Sequence, residues 1–377
     1  MPDSDNLKAE KGAINHGEIA MQKPIGEYAE YIKNLIPADI DENYAIKPMF
    51  KNIASEEDIR KGIIAFRDFL YLFCERLVSD GHLYSKPRET KNPADYPFLQ
   101  NINLLLIEIG YYGKPAESGD SLLVAEMPLF NAPKPKISFP KQMECMRFLA
   151  LCGFVFEGID LDMKTFDISE EGLKISYPKD PIMLTGMKAL SVSAKELWVR
   201  FYNNADNLLR CDYRMIKAED TDVVDVLKDV VHSLPEKLRE FVLELHRRYI
   251  NKGMVCGIIY DDAVHFAYSY VKNSKKALAA RDIYQQRVFE FSLSVKYGYC
   301  LVVRSKRTDK YEEVIEKFPL YLRGKIARGY GCDRKLRNEK CQGGCQGIRI
   351  PLDDQILTIK QDVEIWLDNE LPNLSSK

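Results

Sequence analysis

The spacing of apolar positions along this 377-residue chain changes several times, and each change marks a predicted element. Residues 1–50 show no sustained period and carry Pro24, Pro37 and Pro48. They read as a flexible, irregular start with room for one short helix near 25–35. From Ser55 the pattern is helical. Ile59, Ile63, Phe66, Leu70, Phe73 and Leu77 recur every three or four residues behind the anionic first turn Glu56, Glu57 and Asp58. A proline-rich loop at 86–97 leads to a second helix over 99–111, ended by Gly113, and to a strand over 121–129. A similar order follows. Pro140 opens a helix that stops near Gly153, and strands at 165–169 and 173–177 flank a hairpin loop, Glu170-Glu171-Gly172. Pro181 begins a long helix through Leu197, Phe201 and Tyr202.

Residues 220–231 form a short helix, after which Ser233 and Glu236 stand three apart as a capping box with Pro235 in the first turn. Leu238, Phe241, Val242, Leu245 and Tyr249 supply the apolar stripe, and Gly253 is the natural stop. Beyond it the period becomes two. Val264, Phe266, Tyr268 and Tyr270 alternate with His265, Ala267 and Ser269. Phe289, Phe291, Leu293 and Val295 alternate with Glu290, Ser292, Ser294 and Lys296, and Gly298 turns the chain into 299–303. Such alternation marks an antiparallel sheet with one covered and one polar face. A helix over 310–318, capped by Asp309 and continuing through 320–326, is expected on the apolar side. A last helix over 361–371 presents Val363, Trp366 and Leu367.

The fold class is therefore α+β. Its N-terminal and middle parts are helix-rich with short hairpins, and its C-terminal antiparallel sheet is covered by helices and followed by a Cys-rich knuckle. The expected divisions are a flexible segment at 1–50, a helical α+β domain at 51–132, a second α+β unit at 133–218, and the C-terminal sheet domain at 219–377.

Composition narrows the function classes. With 54 basic and 56 acidic residues the net charge is −2, unlike a generic polyanion binder. The opening MPDSDNLKAEKG has no apolar h-region, and the longest apolar run, 148–156, is about half of the roughly 20 residues that span a bilayer. The expected location is cytoplasmic, with no membrane partner. Six of the nine cysteines, Cys74, Cys145, Cys152, Cys211, Cys256 and Cys300, are scattered through core-like segments and read as reduced thiols, most of them buried.

Two places carry candidate chemistry. The polar face of the C-terminal sheet holds His265, Ser269, Glu290, Ser292 and Ser294. A histidine and a glutamate within reach serve acid–base work when each draws the other's pKa toward neutrality, and the same face suits ligand binding. The other place is GYGCDRKLRNEKCQGGCQG, where Cys332, Cys341 and Cys345 are separated by glycines that permit a tight knuckle. Zinc is the metal such thiolates would hold, with a fourth ligand drawn from Cys300, Cys256, His246, His265 or Asp333. Reactive thiols, favoured by neighbouring Arg334, Lys335, Arg337 and Lys340, and plain loop cysteines are the other two readings.

The net charge also hides a local split. Residues 323–340 hold seven basic and two acidic side chains, a net of +5; residues 353–370 hold six acidic and one basic, a net of −5. Arg334 and Lys335 thus join the candidate ligand-binding residues, with a phosphate or RNA contact, helped by Tyr321 and Tyr330, as the sharper alternative to mutual neutralisation. The chain contains no GxxxxGK[ST], HExxH or GxSxG motif. The reading that results is a cytosolic binding or regulatory protein with an unidentified ligand or protein partner, its C-terminal domain a candidate for stabilisation by zinc. Two alternatives stand beside it. One is an enzyme using His265 and Glu290, or Cys341 and Cys345 as thiols. The other is a DNA-binding regulator built on winged-helix-like units between 55 and 205, with nucleic acid a less favoured partner.

Overall fold

A computed structural model describes residues 20–90, 96–124, 136–162, 172–197, 207–261, 263–270, 280–305, 307–329 and 347–371. Strand β1 (Ala20–Met21) leads into helix α1 (Ile25–Lys33), and the stripe that begins at Ile59 belongs to α2 (Glu56–Asp80). Ser55 caps α2 by accepting the Asp58 N–H at 3.1 Å, so one of the free donors of the first turn is satisfied. Ile59, Ile63, Phe66, Leu70, Phe73 and Leu77 are all buried. The short helix expected near 25–35 is α1, on which Ile25, Tyr28, Ala29, Tyr31 and Ile32 are buried.

The N-terminal half continues with β2 (Glu89–Thr90), which pairs with β1, and with α3 (Pro97–Tyr112). Strands β3 (Lys114–Pro115) and β4 (Ser121–Val124) precede α4 (Phe139–Leu151). Then come β5 (Val155–Glu157), β6 (Leu173–Ser176) and α5 (Met183–Glu196). The four strands from β3 to β6 form one antiparallel sheet in the order β3-β4-β6-β5. Ser121 pairs with Ser176 and Val124 with Leu173, so pairing crosses the division expected at 132/133. β6 pairs with β4 on one edge and with β5 on the other, and the sequence predicts a strand at 165–169. That segment lies outside the described residues. Helix α5 packs against both α2 and α3 and buries Met183, Leu184, Met187, Ala189 and Leu190.

The C-terminal half opens with α6 (Val223–Val231) and α7 (Glu236–Asn251). The capping box expected at Ser233 does not form. Pro235 is the N-cap of α7, and the Ser233 hydroxyl instead lies 2.9 Å from that of Tyr299. Gly253 ends α7 with φ 84°, in the left-handed region where only glycine is unstrained. Strands β7 (Val255–Tyr260) and β8 (Ala263–Ser269) are followed by the short helix α8 (Ala280–Gln285), then β9 (Phe289–Ser294) and β10 (Gly298–Val303). The helix expected without a break over 310–326 is two pieces, α9 (Glu312–Ile315) and α10 (Leu320–Gly329). Pro319, which has no N–H to give, stands between them. Strand β11 (Ile348–Pro351), α11 (Asp354–Thr358) and α12 (Lys360–Glu370) complete the chain.

These five strands form an antiparallel sheet in the order β11-β10-β9-β8-β7. Its apolar face packs against α7, where the rings of Tyr249 and Phe289 lie 5.0 Å apart. Val363, Trp366 and Leu367 of α12 are buried, as their spacing predicts. The two halves meet where the Arg210 guanidinium lies 4.2 Å from the Tyr260 ring centroid and Lys23 donates to the Val295 carbonyl at 3.3 Å. The fold is mixed α+β with a helix-covered C-terminal sheet; Cys332, Cys341 and Cys345 lie outside the described residues. No helix among the described residues is long and apolar enough to cross a membrane.

Candidate functional site

Register decides whether the polar residues of the C-terminal sheet meet. Strand β8 runs beside β9 with His265 opposite Ser292 and Ala267 opposite Glu290. His265 and Glu290 are therefore diagonal neighbours on one face, the spacing across which long side chains still touch. His265 Nδ1 lies 3.6 Å from Glu290 Oε1, and His265 Nε2 lies 3.1 Å from Asp261 Oδ1. Asp261 sits at the end of the β7–β8 turn and also accepts the Ala263 N–H at 3.1 Å, which holds its carboxylate in place.

Two arginines complete the cluster from the ends of the strands. Arg287 lies two residues before the start of β9 and its Nε pairs with Glu290 Oε2. Arg304 immediately follows β10, where its backbone N–H bonds the Val288 carbonyl at 2.7 Å and its Nη2 lies 3.6 Å from Glu290 Oε1. Tyr284 of α8 covers the group. Its ring is 4.9 Å from that of His265 and 3.5 Å from the Arg287 guanidinium. α8 reaches the sheet because β7 has Gly257 beneath it, where a Cβ would come within 3.1 Å of Ile283 and 3.2 Å of Ala280.

The polar face is consequently not a solvated one. Glu290 is 1% exposed and His265 8%. Burial works against the charged imidazole, but hydrogen bonds and charge from Asp261 and Glu290 outweigh it and raise the His265 pKa to about 9. The sequence expectation that the pair would tune each other toward neutrality is corrected here. Two carboxylates act on one imidazole, so His265 is a cation at neutral pH and has no lone pair to serve as a general base.

The other expected residues fall in different places. Ser269 turns to the Gln286 carbonyl, to which it donates at 3.0 Å, and Ser292 lies half-buried opposite His265. Arg334, Lys335, Cys332, Cys341 and Cys345 lie outside the described residues. Of the fourth-ligand candidates for zinc, His246 Nδ1 lies 2.8 Å from the Tyr268 hydroxyl and Cys300 donates to the Tyr297 carbonyl at 3.4 Å. Cys256 is bonded to Tyr268, and burial pushes its thiol up to about 12. Among the described residues no three or more His, Cys, Asp or Glu side chains are grouped to hold a metal ion.

Asp261, Arg287, Arg304 and Tyr284 were missed by sequence reasoning. Two of them left a signal. Arg304 shares the parity of Cys300 and Val302 along β10, the face that meets Glu290, and Asp261 is separated from His265 only by a tight turn. Compared with protein-family models, curated proteins and solved structures, the chain matches none.

Proposed function

We propose that this chain is a binding protein whose C-terminal sheet receives an anionic group, a phosphate or carboxylate of a small ligand or partner, at His265, Arg287 and Arg304. One observation carries the reading: three cationic side chains converge on the single carboxylate of Glu290. His265 Nδ1, Arg287 Nε and Arg304 Nη2 all face the Glu290 carboxylate, and Asp261 faces the other ring nitrogen of His265. Such groups in a poorly hydrated setting attract an anion far more strongly than surface lysines do. Glu290 holds both guanidinium groups in position, so little side-chain freedom remains to be lost on binding.

A raised pKa makes the His265 imidazole a hydrogen-bond donor, which suits an anionic ligand and disfavours a general-base role at neutral pH. The duplex-binding alternative draws no support from α5, whose surface is largely occupied by α2 and α3. Calorimetric titration of the full chain with inorganic phosphate tests the proposal. Saturable binding that falls at least tenfold in Arg304→Gln, with an unchanged melting curve, is the expected result. Absence of saturable binding, or equal binding by a folded Arg304→Gln protein, overturns it.

A further inference from the structure

In the N-terminal half a cleft of about 310 Å³ opens between the start of α2, the β3–β4 turn and the first half of α5. Its lining includes the apolar Ile53, Leu122 and Ile182 and the polar Asp58, Thr185 and Lys188. The volume is at the lower end of the range for small-molecule sites, and the mixture of apolar side chains and a few polar groups is typical of them.

The charges of the cleft are arranged unusually. The Lys188 ammonium donates to the carbonyls of Gly113 at 2.6 Å, Gly110 at 3.2 Å and Tyr111 at 3.4 Å, all at the C-terminal end of α3. It has no carboxylate partner among the described residues, and burial lowers its pKa. Asp58 accepts the Ser55 hydroxyl at 2.7 Å and forms no ion pair among the described residues. One charge of each sign therefore lines the cleft beside apolar side chains, with no ion pair between the two. That is the complement of a small zwitterion with an apolar body.

The geometry points to a binding site for a free α-amino acid with an apolar side chain. Its carboxylate would face Lys188 and the Thr185 hydroxyl, its ammonium Asp58, and its side chain Ile53, Leu122 and Ile182. The N–H groups of Lys188 are already shared with three carbonyls, so its attraction for the carboxylate is electrostatic and Thr185 supplies the directional hydrogen bond. This site is independent of the C-terminal cluster, and either reading can fail alone.

The test uses the full chain and three probes: L-leucine, leucinamide, which lacks the carboxylate, and 4-methylpentanoate, which lacks the ammonium. Calorimetry or saturation-transfer NMR should show leucine binding, with each analogue weaker by at least tenfold. Asp58→Asn should weaken leucine by a similar factor and leave 4-methylpentanoate unchanged, and Thr185→Val should weaken both; melting curves identify the variants that remain folded. No saturable leucine binding, analogues that bind as well as leucine, or folded variants that bind like the parent protein would each overturn the proposal. The analogue series needs no variant at all, so it decides the matter even if a substitution prevents folding.

Discussion

His265 and Glu290 sit two positions out of register on neighbouring strands, and Nδ1 of one lies 3.6 Å from Oε1 of the other. With Asp261 on the opposite ring nitrogen, this raises the pKa of His265 to about 9 in the folded chain, above the roughly 6.5 of an unfolded histidine. A group whose pKa is raised on folding stabilises the fold fully below its unfolded pKa and loses that contribution as pH rises through the folded value. The stability difference between the parent protein and His265→Gln should therefore be largest near pH 6, on the order of 3 kcal/mol, and shrink steadily toward pH 9. Urea unfolding at several pH values measures it. A difference that stays constant across this window contradicts the ion-pair assignment.

Helices α2 and α5 touch through backbone at Gly62 and Gly186. A Cβ on Gly62 would lie 2.5 Å from the Gly186 nitrogen, and one on Gly186 would lie 2.1 Å from the Gly62 oxygen. Neither backbone can yield without separating the helices. Gly62→Ala and Gly186→Ala should each cost about 3 kcal/mol by overpacking, against a few tenths for alanine at an exposed helical site. Denaturant melts of the two variants check this, and near-parental midpoints would show that the crossing is looser than described.

Asp368 ties α12 to α7. It accepts from Arg248 Nη2 at 2.7 Å and from the Tyr249 hydroxyl at 3.0 Å, with Lys252 also in contact. Burial favours its neutral form, but these donors prevail and hold its carboxyl below the usual range. A depressed carboxylate stabilises above its unfolded pKa, and the contribution is lost as pH falls through the folded one. Asp368→Asn should cost about 1 kcal/mol at pH 7, solvent screening keeping the effect modest. At a pH well below 4 the variant and the parent should converge, and failure to converge in acid unfolding would assign the loss to packing alone.

Cysteine chemistry offers an independent check on the core. Burial pushes the thiols of Cys152 and Cys256 up to about 12 and that of Cys300 to about 11, and raises Cys74, Cys145 and Cys211 further still. Since the thiolate is the reactive form, iodoacetamide at pH 8 should leave these six unlabelled in the native protein and label all of them in denaturant. Peptide mapping after a native pulse reads this directly. Rapid labelling of Cys74 or Cys211 would mean that the α2 core is open.

Elements with one apolar side were the most legible in the sequence, because an apolar face imposes a period. The stripe from Ile59 to Leu77 and the alternation through β8 and β9 both appear where expected, and parity alone placed His265 and Glu290 on one face. What covers that face was not legible. α8 spans six residues, too few for a stripe, and it is recognised only through Gly257 on the strand beneath. Ser233 shows the limit of local patterns. It has the right residue three places before Glu236, yet the hydroxyl of Tyr299, 66 residues further along the chain, takes its hydrogen bond. Strand pairing also explains why Arg304, unremarkable in sequence, stands beside Glu290.

The most direct test of the proposed anion site is the His265 imidazole itself, followed by NMR while inorganic phosphate is added to the full chain at neutral pH. The account predicts that its resonances move along a saturable curve in the parent protein and need at least tenfold more phosphate to move as far in Arg304→Gln. An imidazole that ignores phosphate in the folded parent protein, or responds equally in the variant, would contradict it.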